Sequence, residues 1–445
     1  MNSILIIGAG RSATALINYV LDQASKNNWS VTVADADFEL ASKKVHNHPN
    51  GKPAWLDATK PNDRKDLITR ADVVVSLLPV HLHIEVAHDC IKLRKHLITA
   101  SYLSKEMYKL GDQARDFDLI FMNEMGLDPG IDHMSAMQKI HEIKEMGGKI
   151  TAFRSYTGGL IAPECDDNPW HYKITWNPRN VVLAGQGTAQ YLEDSKFKYI
   201  PYHRLFKNYR LIEVPDMGTY EVYPNRDSLL YREVYGLSGI PNILRGTIRH
   251  RGYCDAWAAL VRIGLTDASY PILDSEKLTY HALMEAYLGE DLEGGSVKER
   301  TAKMIGEASD SEVMQKLDWL GLFSKKRINL PNASPAVILE NLLLEKWQLR
   351  STDKDMIIMQ HEFEYEIGKQ KKQLTSTLVM KGENAADTAM SKLVGLPLGI
   401  FVKLVMQGKI KQTGVNIPVM KEVYDPVLEE LKNFGLEFIE TEVAL

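Results

Sequence analysis

The stretch SILIIGAGRSATALINYVLDQA, residues 3–24, decides the fold of the first part of the chain. The aliphatic run Ile4–Ile7 has no polar face, as expected of a strand covered on both sides. Gly8-Ala9-Gly10-Arg11-Ser12-Ala13 follows it directly, and Ala13–Ala24 has helical period. Each position in this GxGxxA turn has a physical task. Gly8 permits a tight turn, Gly10 lets the backbone approach a pyrophosphate, and the small Ala13 lets the helix close on the strand. Free N–H groups and the positive helix end then favour phosphates. Strand, turn and helix in this order identify a dinucleotide site formed by Gly8, Gly10, Arg11, Ser12 and Ala13.

Working outward, further apolar runs occur at Val31–Asp35, Asp72–Leu78, His96–Ala100 and Leu119–Asn123, with helical segments at His83–Leu93 and Lys105–Phe117. This alternation predicts an α/β fold, a doubly wound parallel sheet of the Rossmann type. In such sheets a ligand sits at the carboxyl ends of the strands. Those ends supply Asp35, then Leu78 and Pro79, then Ala100, Ser101 and Tyr102, and finally Leu127, Asp128 and Pro129 beyond the last strand. Asp35 lies 22 residues after Ala13. A carboxylate there accepts from ribose hydroxyls and repels a 2′-phosphate, so the expected cofactor is NAD, with NADP second. Asp37 reads as a cap for the following helix.

Beyond Gly126 the pattern changes. A helix is expected over about Met134–Met146. Strands are expected at Ile150–Tyr156, Asn180–Ala184, Arg210–Val214 and Thr247–Tyr253. Helices follow from Asp255 to about Trp347, then a hairpin of Asp355–Tyr365 and Gln373–Met380. Helices return at about Ala386–Met406 and Asp425–Phe434, with a strand at Leu436–Thr441. A net charge of −5 gives no reason to expect a nucleic acid or an anionic membrane surface as partner. Three cysteines, far apart, indicate neither a disulfide framework nor a zinc cluster. The histidines show no HExxH spacing, so no metal is expected. The start MNSILIIGAG does not read as a signal peptide, no membrane span is read, and a cytoplasmic location is expected.

Several strings together resemble one family: GLDPGIDH (126–133), SYTGGLIAPE (155–164), YPNRDS (223–228), RGTIRHRGY (245–253) and VGLPLGIFVKLVMQG (394–408). With the N-terminal GAG they are similar to saccharopine dehydrogenases of the L-glutamate-forming type, over essentially the whole chain. The resemblance implies reversible, nicotinamide-dependent oxidation of saccharopine to L-glutamate and 2-aminoadipate 6-semialdehyde, in lysine metabolism. It also implies a substrate domain inserted into the Rossmann domain. The expected division is therefore 1–126 with about 387–445 for the dinucleotide, and about 127–386 for substrate binding and dimerisation.

The resemblance places Tyr102 and Asp128 at the family's active site and Thr175, Arg226, Thr247, Ile248 and Arg249 against substrate, while Ser101, from its place at a strand end, can donate to substrate or cofactor. The chemistry agrees, because a substrate with three carboxylates needs fixed cations, and a guanidinium grips a carboxylate through two N–H groups. Arg245 and Arg251 read as solvated neighbours. His133 reads as a satisfied histidine that orients its loop, and Asp128 has a competing reading as a helix cap. One departure stands out: the family tends to have cysteine where this chain has Thr157. A threonine cannot form a thiolate but can hydrogen-bond to water or substrate, so Thr157 joins Tyr102 and Asp128 as a candidate for proton handling. Two alternatives stay open. One is a related imine reductase, such as a carboxynorspermidine or lysine dehydrogenase; the other is a catalytically silent dinucleotide-binding protein.

Overall fold

The aliphatic runs of the N-terminal region become the middle of a sheet. Strands Ser3–Ile7 (β1), Ser30–Asp35 (β2), Gly51–Trp55 (β3), Val73–Ser76 (β4), His96–Thr99 (β5) and Ile120–Met122 (β6) lie parallel, with a seventh strand, Gly414–Asn416, outside β6. Their order is Gly414–Asn416, β6, β5, β4, β1, β2, β3. The order reverses direction between β1 and β4, which opens a crevice at the carboxyl ends of those strands. This computed structural model describes residues 1–289, 292 and 294–445. The chain divides into two units: Met1–Ile150 with Glu366–Gln370 and Met380–Ile439, and Thr151–Tyr365 with Lys371–Val379 and Glu440–Leu445.

The first unit extends past the boundary expected at 126. The helix Ile131–Glu145 stays with it because His141 Nδ1 meets the Tyr424 hydroxyl at 2.6 Å, joining that helix to Lys421–Leu431. The helix Ala389–Met406 is long and apolar enough to cross a membrane, yet 78 % of it is buried within the protein. It lies on the first helix, Thr14–Asn27 (α1). A Cβ at Gly395 would fall 2.6 Å from the Leu16 amide nitrogen, and one at Gly399 would fall 2.6 Å from the Tyr19 ring. Ser391 Oγ accepts the Ala15 N–H across the same contact, at 3.2 Å.

In the second unit, a mixed sheet runs in the order Arg210–Val214, Gly218–Pro224, Asn242–Arg249, Lys149–Ile161, Asp355–Ile367, Gln370–Lys381 and Ile439–Ala444. A further hairpin, Thr188–Glu193 with Lys196–Pro201, joins it through Asn242–Arg249. Strand alternation sorts its residues between two cores. Tyr156, Val222, Leu244 and Ile248 pack in one. Tyr223 packs in the other, with Tyr172, Tyr253, Trp170, Trp257 and Trp347. The strand expected at Asn180–Ala184 is instead part of a helix, Pro178–Val182. Pro178 at its first position and the Asn177 side chain, which accepts from Arg179 N at 3.0 Å, form a helix start that outweighs the β-branched pair Val181–Val182.

Substituting Gly395 with alanine forces a methyl group against the Leu16 backbone. It is expected to destabilise the first unit by about 1–3 kcal/mol, read as a lower urea midpoint for the transition of that unit. An unmoved midpoint would show that the two helices have room to part.

Candidate active site

In the first unit the glycine turn has the geometry a pyrophosphate requires. Gly8 adopts φ +105°, and a Cβ there would meet the Leu77 carbonyl oxygen at 3.0 Å; a Cβ at Gly10 would meet nothing within 4 Å. Gly8 is thus held by the fold, while Gly10 leaves open the space a phosphate would fill. Arg11–Ala13 form a 3-10 turn that leads into α1, and its first amides have no intrahelical acceptor. These residues fit a dinucleotide.

Asp35 does something the sequence did not reveal. Its Oδ2 accepts the Ala9 N–H at 2.7 Å and its Oδ1 accepts the Asp37 N–H at 2.9 Å. Both carboxylate oxygens are engaged by the protein's own backbone and stiffen the turn. Asp37 is the expected cap, accepting from Leu40 N at 3.0 Å.

At the neighbouring strand ends, Leu78 is half-buried and Pro79 exposed; Pro79 precedes the 3-10 turn Val80–Leu82. Ala100, Ser101 and Tyr102 are half-buried. The Tyr102 hydroxyl donates to Asp128 Oδ1 at 3.0 Å, so the two candidate proton-handling groups are in contact. Asp128 is not the helix cap: Asp132 Oδ1 takes the Gly130 N–H at 2.6 Å instead. Leu127 and Pro129 are buried around it. His133 is fully buried against Glu124.

Sequence reading missed His83. Its ring bridges Ser76 Oγ at 2.8 Å and Ser101 Oγ at 2.6 Å, between the ends of β4 and β5. Burial, with a smaller contribution from His81, lowers its pKa to about 4, so at neutral pH the imidazole is uncharged, one nitrogen donating and the other accepting. No motif marks this residue.

In the second unit, Thr157, Thr247 and Tyr223 are direct neighbours across three strands. Arg249, two residues along from Thr247, shares their face. Arg249 is 4 % exposed, and no carboxylate lies within ion-pair distance among the described residues. Its guanidinium carbon instead stands 5.2 Å from the Tyr172 ring, 5.3 Å from Tyr253 and 5.9 Å from Tyr223. Nη1 donates to the Ile248 carbonyl at 2.8 Å, while Nε has no partner among the described residues. Burial opposes the charge, but the facing phenols of Tyr223, Tyr172 and Tyr253 outweigh it and hold the guanidinium's pKa above its usual value. The Thr157 hydroxyl is likewise buried without a partner.

Thr175 is buried, beside Ile174, whose N–H donates to the Trp347 carbonyl at 2.8 Å. The remaining expected residues fall differently. The Ile248 side chain points into the opposite core, which leaves only its backbone to line this face. Arg226 is exposed on the loop after strand Gly218–Pro224, at φ +45°. Arg245, expected to be solvated, is 5 % exposed and stacks over Tyr231 at 4.3 Å. It sits on the strand two positions before Thr247, so alternation turns it inward. Arg251, past the strand end, is exposed.

A doubly wound sheet with an open glycine turn at its switch point, in a chain with a second, mixed-sheet unit, fits the class of dinucleotide-dependent oxidoreductases. Residues 4–122 match the family model described as the saccharopine dehydrogenase NADP binding domain, and residues 126–436 match the saccharopine dehydrogenase C-terminal domain. The chain belongs to the saccharopine dehydrogenase family. It is 34 % identical to saccharopine dehydrogenase [NADP(+), L-glutamate-forming] of Pyricularia oryzae, over 99 % of both chains. It is 32 % identical to the Schizosaccharomyces pombe enzyme of that name, again over 99 % of both. It also matches alpha-aminoadipic semialdehyde synthase of Arabidopsis thaliana at 32 % identity, over 99 % of this chain and 45 % of that one. Among solved structures, apo saccharopine dehydrogenase (L-Glu forming) from Saccharomyces cerevisiae superposes with TM-score 0.89 at 31 % identity, covering 100 % of each chain.

These findings overturn the expectation of NAD. The matched N-terminal model is described as NADP-binding and the fungal relatives are named for NADP(+). The physical reason for the misreading is Asp35, whose two oxygens are already engaged by backbone amides. An acid at that position does not by itself reserve the site for ribose hydroxyls.

The His83 bridge carries a pH signature. Above pH 6.5, the ordinary histidine pKa, neither the folded nor the unfolded chain protonates this group. Below it, the unfolded chain takes up a proton that the native ring, with its pKa lowered to about 4, refuses. Stability is therefore expected to fall between about pH 6.5 and pH 4, by up to about 3 kcal/mol from this residue. In urea unfolding at pH 7 and pH 5, His83→Gln should flatten the difference; a wild-type slope in the variant would remove His83 as its source.

Proposed function

We propose that this protein catalyses the reversible reaction of saccharopine, NADP⁺ and water to L-glutamate, 2-aminoadipate 6-semialdehyde, NADPH and a proton. The observation that carries this reading is Arg249, a buried cation with no acid of its own and an unmet N–H, in a chain that matches the L-glutamate-forming enzymes from end to end.

The buried guanidinium sets the substrate class. An unpaired charge away from water is costly unless a counter-ion arrives. A substrate carboxylate supplies it, and charge-assisted hydrogen bonds are about twice as strong as neutral ones. The tyrosine rings hold the guanidinium plane so that little freedom is lost on binding. Arg226, the second arginine of the family strings, lies exposed on its loop.

The bound dinucleotide supplies the hydride acceptor and donor. The glycine turn, stiffened by Asp35, holds its pyrophosphate. The remaining chemistry is proton movement on the substrate: the secondary amine loses a proton, water adds to the imine carbon, and the carbinolamine collapses to amine and aldehyde. Asp128, whose Oδ1 accepts from the Tyr102 hydroxyl, receives the proton. Thr157, buried with no hydrogen-bond partner among the described residues, is a hydroxyl that the second unit can offer to water or substrate where no thiol is present. His83 fixes the rotamer of Ser101 beside this pair.

Purified protein mixed with saccharopine and NADP⁺ should produce the absorbance of reduced cofactor, and saccharopine should be consumed in step. No signal across pH 6–10 would overturn the activity. Arg249→Met keeps the bulk of the side chain and removes the charge. It should raise KM for saccharopine by about 100-fold, the ~3 kcal/mol of a lost charge-assisted pair, and leave NADPH binding, followed by fluorescence, unchanged. A wild-type KM would take Arg249 out of the site.

A further inference from the structure

Glu124 and His133 have no part in the chemistry above, yet both are buried and bonded to each other. Glu124 is 4 % exposed and His133 fully enclosed, and Oε2 lies 2.7 Å from Nε2. The other carboxylate oxygen, Oε1, accepts the Leu103 N–H at 2.8 Å, and the Glu124 backbone N–H donates to the Ser101 carbonyl at 3.0 Å. One residue thus grips both ends of the tripeptide Ser101-Tyr102-Leu103. It does so from a left-handed backbone, φ +57°, which a residue with a side chain adopts only where its surroundings compel it.

The partner anchors the other half of the candidate proton pair. His133 sits in the first turn of the helix Ile131–Glu145, directly after the loop that carries Asp128. That loop is tightly wound: Gly126 N donates to the Pro129 carbonyl at 2.9 Å, Ile131 N donates to the Gly126 carbonyl at 2.9 Å, and a Cβ at Gly130 would lie 2.1 Å from the Gly126 carbonyl oxygen. Glu124 ties the Tyr102 segment to the helix that begins where the Asp128 loop ends. The 3.0 Å contact between the Tyr102 hydroxyl and Asp128 Oδ1 is the outcome.

We propose that Glu124 and His133 are a positioning pair that sets Tyr102 against Asp128, acting on proton transfer without touching substrate or cofactor. The proposal rests on the reading of Tyr102 and Asp128 as the proton-handling groups. Its distinguishing feature is dependence on Tyr102: a clamp that works through the phenol has nothing to contribute once the phenol is gone.

The test is a double-mutant cycle with Glu124→Ala, Glu124→Gln and Tyr102→Phe, assayed with saccharopine and NADP⁺, together with hydrogen–deuterium exchange over residues 101–107. Misplacing a reacting group by about 1 Å costs about 100-fold. Glu124→Ala should lower kcat by about that factor and keep KM for saccharopine within about threefold. Glu124→Gln still accepts from Leu103 N–H and meets His133, and should recover to within about tenfold of wild type. In the Tyr102→Phe background, Glu124→Ala should cost less than about threefold more. Amides at 101–107 should exchange about tenfold faster in Glu124→Ala and as in wild type in Glu124→Gln, with β1 amides unchanged in both. If alanine prevents folding, Glu124→Met, closer in volume, takes its place in every arm.

A full multiplicative loss in the Tyr102→Phe background overturns the proposal, as does unchanged exchange at 101–107. Absence of wild-type turnover would sink the proposed reaction instead, and the exchange rates would then decide the clamp alone.

Discussion

A positive charge enclosed by protein without a negative one is the constraint around which the second unit is built. Arg249 ends its strand buried in the protein, among tyrosine rings, where an N–H with no partner among the described residues is shut away from solvent. A fold tolerates such a group when its unmet valence is of use. The aromatic cluster around it keeps the dielectric low, and that lends strength to any carboxylate contact made there. Stability and affinity draw on the same desolvation with opposite sign.

The first unit uses its own acids in the reverse manner, spending them on its own backbone. Asp35 fastens Ala9, Asp132 fastens Gly130, and Glu124 fastens Leu103, each through a backbone N–H. Hydrogen bonds from amides to carboxylates are among the stronger ones in proteins, and here they fall on segments that must hold still: the glycine turn, the Asp128 loop and the Tyr102 segment. Rigidity of that kind is what catalysis by orientation requires.

Much of the first unit was legible in the sequence because its signals are local. A strand, a glycine turn and a periodic helix are read within about a dozen residues each. β3 escaped because Gly51 and Pro53 read as breakers; at the sheet edge, however, the missing N–H of Pro53 costs no ladder bond. In the second unit the hairpin Thr188–Pro201 escaped because Asp194 and Ser195 turn it at positive φ without the usual Asn-Gly or Asp-Gly signal. The site was half legible. Family strings located Arg226 and Arg249 alike, but only the structure separates a loop arginine in solvent from a strand arginine in a cage. The period of two already hinted that Arg245, Thr247 and Arg249 share a face. His83 and Glu124 left no trace, since neither lies in a motif and their partners lie as far as 18 and 23 positions away. Asp35 shows the converse failure: a residue type at the right spacing whose oxygens are already taken.

The strand Gly414–Asn416 and the helix Ala389–Met406 complete a sheet that begins at residue 3. On the ribosome, β6 therefore emerges roughly three hundred residues before the strand that covers its outer edge. α1 must likewise wait for the glycine face it packs against. An uncovered parallel edge is a surface on which nascent chains pair wrongly. Chain order thus ties maturation of the nucleotide half to synthesis of the second unit, whose residues are made in the interval. A ribosome that stalls inside that unit leaves a nucleotide half with an open edge.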